Sequence, residues 1–246
     1  MKLIVLGSSS SGNCYILDNG NEALIIEAGI RLSEVKKALR FNISKVLGVI
    51  VTHEHNDHAG YVKDFAAAGI TVLALDDVFH AKGFSETASF AKRITPGKGY
   101  KVGNFKIIPF SVNHDVPCVG YQVEHPEMGK LLFVTDTMML EYTFSGLNHI
   151  LIEANYSDEI LNYNIDNGTV QPFFRQRLMT SHMEIETTKE ILRSNDLSGV
   201  RNIVLIHLSS GNSNAKAFTE EITKVTGKPV YAASKGMEID LSFNPY

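Results

Sequence analysis

The chain has no tryptophan and only two cysteines, Cys14 and Cys118, in 246 residues. Two distant cysteines build neither a disulfide framework nor a C-x-x-C motif, and they fit a reducing cytoplasm. No apolar run reaches the length of a membrane span, and the run after Lys2 stops at Gly7, too early for the core of a signal peptide. A basic excess is also missing: 23 Lys and Arg face 27 Asp and Glu, for a net charge of −4. Sequence-independent nucleic-acid binders ordinarily carry the opposite balance. Bound divalent cations would change the field locally, so a nucleic-acid substrate is unadvertised rather than excluded. Internal repeats, low-complexity tracts and Pro/Ser-rich linkers are absent as well. One domain spanning 1–246 is therefore expected, with the oligomeric state left open, a homo-oligomer included.

What is present reads as strands interleaved with helices. LIVL (3–6), CYILD (14–18) and ALIIEAG (23–29) are short apolar runs between turn residues, as in a meander. A helix is expected from Ser33 as N-cap through EVKKALRF. KVLGVIVT (45–52) reads as a buried strand, AGYVKDFAAAG (59–69) has helical spacing, and TVLAL is another strand. Residues 76–104 are mixed and turn-rich. FKIIPFSV (105–112), VGYQVEH (119–125), KLLFVTD (130–136), HILIEAN (149–155) and RNIVLIHLS (201–209) are strands. Helices are expected near 157–162, 183–194 and 214–225, then short strands at PVYAA and MEIDL. Such a pattern is α/β, with loops at strand ends carrying the chemistry.

The densest chemistry is THEHNDHAG, 52–60. It places His53, His55, Asp57 and His58 directly after a buried strand, in a chain with nine histidines. The zincin pattern H-E-x-x-H fails, because position 57 is aspartate. A tight loop can instead offer two donor pairs to neighbouring cations. Further ligands should also end strands: His114 follows FKIIPFSVN, Asp136 follows KLLFVT, and His207 follows NIVLI. Each alone is more often a structural polar residue; together they form a set.

These motifs resemble the metallo-β-lactamase fold superfamily. GSSSSGNCYI, SHMEIETTKEIL and IHLSSGNSN resemble, within it, the YycJ/WalJ-like exonuclease family. The resemblance implies an αββα four-layer sandwich with a dinuclear site at one edge. It gives one metal to His53, His55 and His114 and the other to Asp57, His58 and His207, with Asp136 and a hydroxide as bridges. Nitrogen and carboxylate donors suit two Zn²⁺ ions, and Mn²⁺ or Fe²⁺ would also be held. Where the family usually has aspartate to orient a ligand histidine, this chain has Glu27, one methylene longer.

The resemblance implies a phosphodiesterase, foremost a DNA exonuclease, in which the bridging hydroxide attacks phosphorus in line. A cyclic nucleotide or other small phosphate ester is the main rival substrate, which the acidic charge favours. A thioester or lactone hydrolase on the same scaffold is a further alternative. His182 resembles the histidine that phosphodiesterases of the ribonuclease Z type carry before their last ligand. It is expected to open a helix and to act with Asp57 in catalysis, protonating the leaving oxygen.

Other features are weaker. GSSSSGNC has the glycine spacing of a P-loop but Asn13 and Cys14 where lysine and Ser/Thr are needed, so no ATP site is expected. Ser9, Ser10, Asn155 and Lys235 are expected on the substrate side. Glu153 and Asn155 follow one strand as an E-x-N pair, for which the resemblance implies a role behind the ligands or toward the substrate. His80, His125 and His149 are expected to be structural or surface residues. Lys92, Arg93, Lys98 and Lys101 form a basic stretch that reads as a solvated loop ahead of a phosphate guide.

Overall fold

The structure, a computed structural model, describes residues 1–85 and 87–243. Its first half supplies β1 (Lys2–Gly7), β2 (Cys14–Asp18), β3 (Ala23–Ile26), α1 (Leu32–Ala38), β4 (Val46–Ile50), α2 (Asn56–Ala59), α3 (Val62–Ala67), β5 (Val72–Ala74), α4 (Asp76–Ala81) and β6 (Ala91–Arg93). The antiparallel run β7 (Tyr100–Val102), β8 (Phe105–Val112) and β9 (Cys118–His125) leads to β10 (Gly129–Val134) and β11 (His149–Glu153). There follow α5 (Asp158–Asp166), α6 (Phe173–Ser181), α7 (Ile185–Ser194), β12 (Asn202–Ile206), α8 (Ala215–Thr226), β13 (Val230–Ala232) and β14 (Glu238–Asp240).

Two seven-stranded sheets result, in the orders β14-β1-β2-β3-β4-β5-β6 and β13-β12-β11-β10-β9-β8-β7. Period-two alternation decides which side chains enter which layer. On β10, Leu131 and Phe133 join the core between the sheets, while Leu132 and Val134 face a second core with Ile191 and Phe218 of α7 and α8. Val35, Phe65 and Phe79 of α1, α3 and α4 join the core of the first sheet. The layers are thus helix, sheet, sheet, helix, as expected of an αββα sandwich. Two contacts tie the sheets together: Tyr15 meets Phe133 edge-on at 5.4 Å, and the Tyr121 hydroxyl donates to the Val51 carbonyl at 2.6 Å.

Strand direction positions the site. β3, β4 and β5 run parallel, as do β10, β11 and β12. β8 also runs with β10, because both are antiparallel to β9 between them. The segments leaving β3, β4, β8, β10, β11 and β12 therefore converge at one edge of the sandwich.

Some expectations change. α1 starts at Leu32, so Ser33 lies inside it and makes no cap bond. The stretch 59–69 does not form one helix: Asn56–Ala59 is a single turn, and α3 begins three residues later. Residues 173–181, passed over in the sequence, form α6. His182 does not open a helix. It caps the C-terminus of α6 in extended backbone, and α7 begins at Ile185 after Glu184, whose side chain accepts from the Glu186 N–H.

Candidate metal centre

The His53–His58 segment turns because β3 clasps it. After β3 ends at Ile26 the chain continues as Glu27, Ala28 and Gly29. Ala28 N–H donates to the His58 carbonyl at 2.7 Å, and Asn13 N–H donates to the Asp57 carbonyl at 2.7 Å. The Asn13 side-chain amide adds contacts to Asp57 Oδ2 at 3.4 Å and His58 Nε2 at 3.1 Å. The serine-rich turn therefore braces the histidine segment, and Asn13 is the residue that does it.

Close approach makes glycine necessary at position 29. A Cβ there would stand 1.7 Å from the Asp57 carbonyl oxygen and 2.7 Å from the Asn13 nitrogen, both backbone atoms. Gly29→Ala should push the Asp57–His58 turn outward, costing about 1–3 kcal/mol as overpacking does. Melting temperature and bound metal per chain should both fall; if neither changes, the clasp does not hold the site.

Three donor groups lie close enough together to hold ions: His53, His55 and His114; Asp57, His58 and His207; and His53, His58 and Asp136. Asp136 touches both triads: a donor oxygen lies within 4.8 Å of His53 of the first, while in the second its Oδ2 is 3.0 Å from His58 Nε2 and its Oδ1 3.9 Å from His207 Nε2. His55 Nδ1 and His114 Nε2 are 3.3 Å apart, and His207 Nε2 is 3.2 Å from Asp57 Oδ2. Two nitrogens on one tetrahedral zinc at its usual bond length stand about 3.3 Å apart. His53 Nε2 is buried and has no hydrogen-bond partner among the described residues. A buried lone pair without a partner, among donors at ligand spacing, fits a metal ion.

Three residues at this edge adopt positive φ without being glycine: Glu27 at 68°, Asp136 at 51° and His207 at 53°. Each such residue costs about 1–3 kcal/mol, and strain of this kind gathers at functional sites. All three leave the ends of the core strands β3, β10 and β12, where the turn aims a side chain across the sandwich edge.

The electrostatics suit cations. Burial first, then the charge of neighbouring His58, hold His53 well below the usual imidazole range, so it is neutral with a lone pair to give. Burial opposes ionisation of Asp57 and Asp136. For Asp57 the hydrogen bond from His207 leads the opposing effects, and for Asp136 the charges of His207 and His58; both carboxyls stay well below their ordinary value. His58 goes the other way: burial disfavours its charge, but Asp136 and Glu27 outweigh it and raise it. Glu27 Oε1 lies 3.4 Å from His58 Nδ1, within ion-pair distance, but neither atom makes a hydrogen bond among the described residues.

His182 belongs to a fourth group, with Asp136, Glu153 and His207. Its Nδ1 is 2.7 Å from Glu153 Oε1 and 3.3 Å from Asp136 Oδ1. Burial works against its charge, but the Glu153 carboxylate prevails, and the imidazole is pushed up to about 9. Glu153 is fully buried, accepts from the Thr137 and Met183 N–H groups, and lies 3.5 Å from His207 Nδ1.

A cavity of 210 Å³ opens onto the centre, lined by His55, Asp57, His114, Asp136, His182 and His207 together with Ser10, Asp115, Arg177 and Ser181. Ser10 is thus at the cavity wall. Ser9 and Lys235 share a different cavity beside Gly7 and Ile30. Asn155 is buried and donates to the His207 carbonyl at 2.7 Å, with the His207 ring nitrogen at 3.1 Å; it lines neither cavity. The basic stretch spans β6, the turn after it and β7, with Arg93 on Asp76 and Lys92 and Lys98 over the Tyr100 ring. His125 bonds Glu22, and Cys14 and Cys118 are free and buried. Sequence reasoning missed Asp115, Asn13 and Arg177. Asp115 adjoins His114 and reaches its Nε2 at 3.0 Å, so adjacency could have flagged it. Arg177 carried no signal beyond its charge.

Among the described residues no helix is long and apolar enough to cross a membrane. The chain is 26% identical over 227 residues to the exodeoxyribonuclease WalJ of Streptococcus pneumoniae, covering 86% of this chain and 83% of that protein. It is 23% identical over 250 residues to the exodeoxyribonuclease YycJ of Bacillus anthracis, covering 96% and 92%. The metallo-beta-lactamase fold protein YhfI from Bacillus subtilis shares the fold, with a TM-score of 0.73 at 16% identity over 97% of this chain and 98% of that one. The model of the metallo-beta-lactamase superfamily matches residues 9–139, just over half of the chain. With both triads assembled at the sandwich edge, that match makes this chain a member of the metallo-β-lactamase superfamily and a metal-dependent hydrolase.

Proposed function

We propose that this chain is a phosphodiesterase using two divalent cations, zinc foremost with manganese or iron also accommodated, and that it trims DNA from an end. One metal would be held by His53, His55 and His114, the other by Asp57, His58 and His207, with Asp136 shared. When bound, such a pair neutralises phosphoryl oxygens and brings water towards ionisation near neutral pH. The observation that carries the reading is His182, whose Nδ1 is fixed by Glu153 at 2.7 Å at the wall of the metal cavity. With Nδ1–H donated to Glu153, Nε2–H is left for a leaving oxygen. Likeness to two exodeoxyribonucleases over most of the chain supports DNA as the polymer.

A small phosphate ester is the second reading. It is favoured by the net charge of −4 and by Arg177 being the one lysine or arginine among the residues lining the metal cavity. Turnover of linear duplex DNA, single strands, cyclic nucleotides and a thioester, with manganese or zinc, separates the readings. DNA ends should be degraded, and log activity below saturation should fall with log salt at a slope of about −0.9 per duplex phosphate neutralised. Rapid cyclic-nucleotide turnover with intact DNA at low salt would transfer the assignment to the small ester.

A further inference from the structure

The metal cavity has a neighbour. A second cavity of 440 Å³ has Ser10, Arg177 and His182 in its wall, and the same three residues line the metal cavity. The rest of its lining is different in kind: Val170, Phe174 and Leu178 give apolar surface, and Gln171, Ser209 and Asn212 give polar groups. A volume of this size is typical of small-molecule sites.

α6 builds the shared wall. Phe174, Arg177 and Leu178 stand at i, i+3 and i+4, so one helical face presents all three. Phe174 is 41% exposed, and its ring lies 4.4 Å from that of Phe173 at 30°. The two arginines of α6 differ in employment. Arg175 bonds Asn162 and Asp158, whereas the Arg177 guanidinium makes no ion pair or side-chain hydrogen bond among the described residues. An exposed aromatic face beside an unengaged guanidinium, at the rim of a site for cations, asks for a planar ring joined to an anion.

We propose that the second cavity receives the nucleobase adjoining the scissile phosphate, stacked on Phe174, while Arg177 binds the phosphate between the two cavities. The proposal rests on the phosphodiesterase reading for the position of that phosphate. Stacking accepts every base, because every base has a π face, and so α6 supplies affinity without sequence preference. Gln171, Ser209 and Asn212 meet the polar rim of the base. A lactone or thioester without a planar ring would draw nothing from Phe174.

The chain's lack of tryptophan makes the test direct. Phe174→Trp keeps an aromatic face and gives metal-loaded protein a single indole reporter. Titration with 2′-deoxyadenosine 5′-monophosphate should quench its emission, at concentrations roughly ten- to hundredfold below those at which 2-deoxyribose 5-phosphate or inorganic phosphate binds. Calorimetry on the unsubstituted protein should give the same ratio, which Phe174→Ala should erase. Arg177→Ala should weaken all three ligands. In turnover, Phe174→Ala should slow removal of a normal terminal nucleotide and leave an abasic terminus unaffected. Equal affinity for nucleotide and sugar phosphate, or equal loss on both DNA ends, would overturn the base pocket while leaving the nuclease reading standing. Nucleotide stacking on Phe174 without any DNA degradation would retain the pocket and remove the nuclease reading.

Discussion

Asp136→Ala should empty both metal sites at once and take hydrolysis to background. The side chain is buried and groups with His53 of one triad, within 4.8 Å, and with His58 and His207 of the other, whose Nε2 atoms lie 3.0 and 3.9 Å from its oxygens. It is also the carboxylate that holds positive charge there, being kept ionised by His207 and His58 against its own burial. A shared ligand serves both ions, so its loss should lower both occupancies together. A terminal one, such as Asp57, should mainly empty its own site. The fall in rate should exceed the about 10²–10³ that one electrostatic donor contributes elsewhere. Metal analysis of wild type, Asp136→Ala and Asp57→Ala decides it. One ion per chain in the wild type, or unchanged content in Asp136→Ala, would refute the dinuclear arrangement.

The same centre should load in a pH-dependent way. His58 is raised above the ordinary imidazole value by Asp136 and Glu27, despite burial. A ligand nitrogen must be deprotonated, so an ion entering there displaces a proton. Affinity should therefore decline as pH falls through and below the neutral range, and proton release on loading is the calorimetric signature.

How much of this was written in the sequence varies with the kind of signal. His53, His55, Asp57 and His58 were legible because they crowd one turn, and His114, Asp136 and His207 because each ends an apolar strand. The positive φ of Asp136, His207 and Glu27 was not, since nothing in a non-glycine residue announces a left-handed turn. α6 escaped because Phe173, Phe174 and Met179 stay exposed, so its apolar residues trace no buried stripe for periodicity to find. Pro172 at its start was the available cue. Lys235 was expected near the substrate, and Asn155, through the E-x-N pair of the resemblance, either there or behind a ligand. The fold turns Asn155 inward to His207 and sets Lys235 with Ser9 in another cavity, a placement decided by which way each strand end faces.

His182→Ala should leave metal content unchanged and slow the reaction on DNA by about 10²–10⁴, the range for a positioned general acid. The residue stands outside both triads, yet its Nδ1 lies between Glu153 and Asp136, which hold its proton to about pH 9 against burial. Cations loaded beside Asp136 would pull that value down towards the working range, because like charge disfavours the imidazolium. An acid must be protonated to act. The wild-type rate should therefore fall as pH rises through the His182 pKa, and that alkaline limb should be missing from the mutant. The deficit should shrink on bis-p-nitrophenyl phosphate, whose leaving group departs without a proton. Loss of metal in the mutant would make His182 a ligand. An equal deficit on both substrates would mean phosphate binding instead of proton donation, and wild-type rates on both would leave His182 as no more than the cap that follows α6.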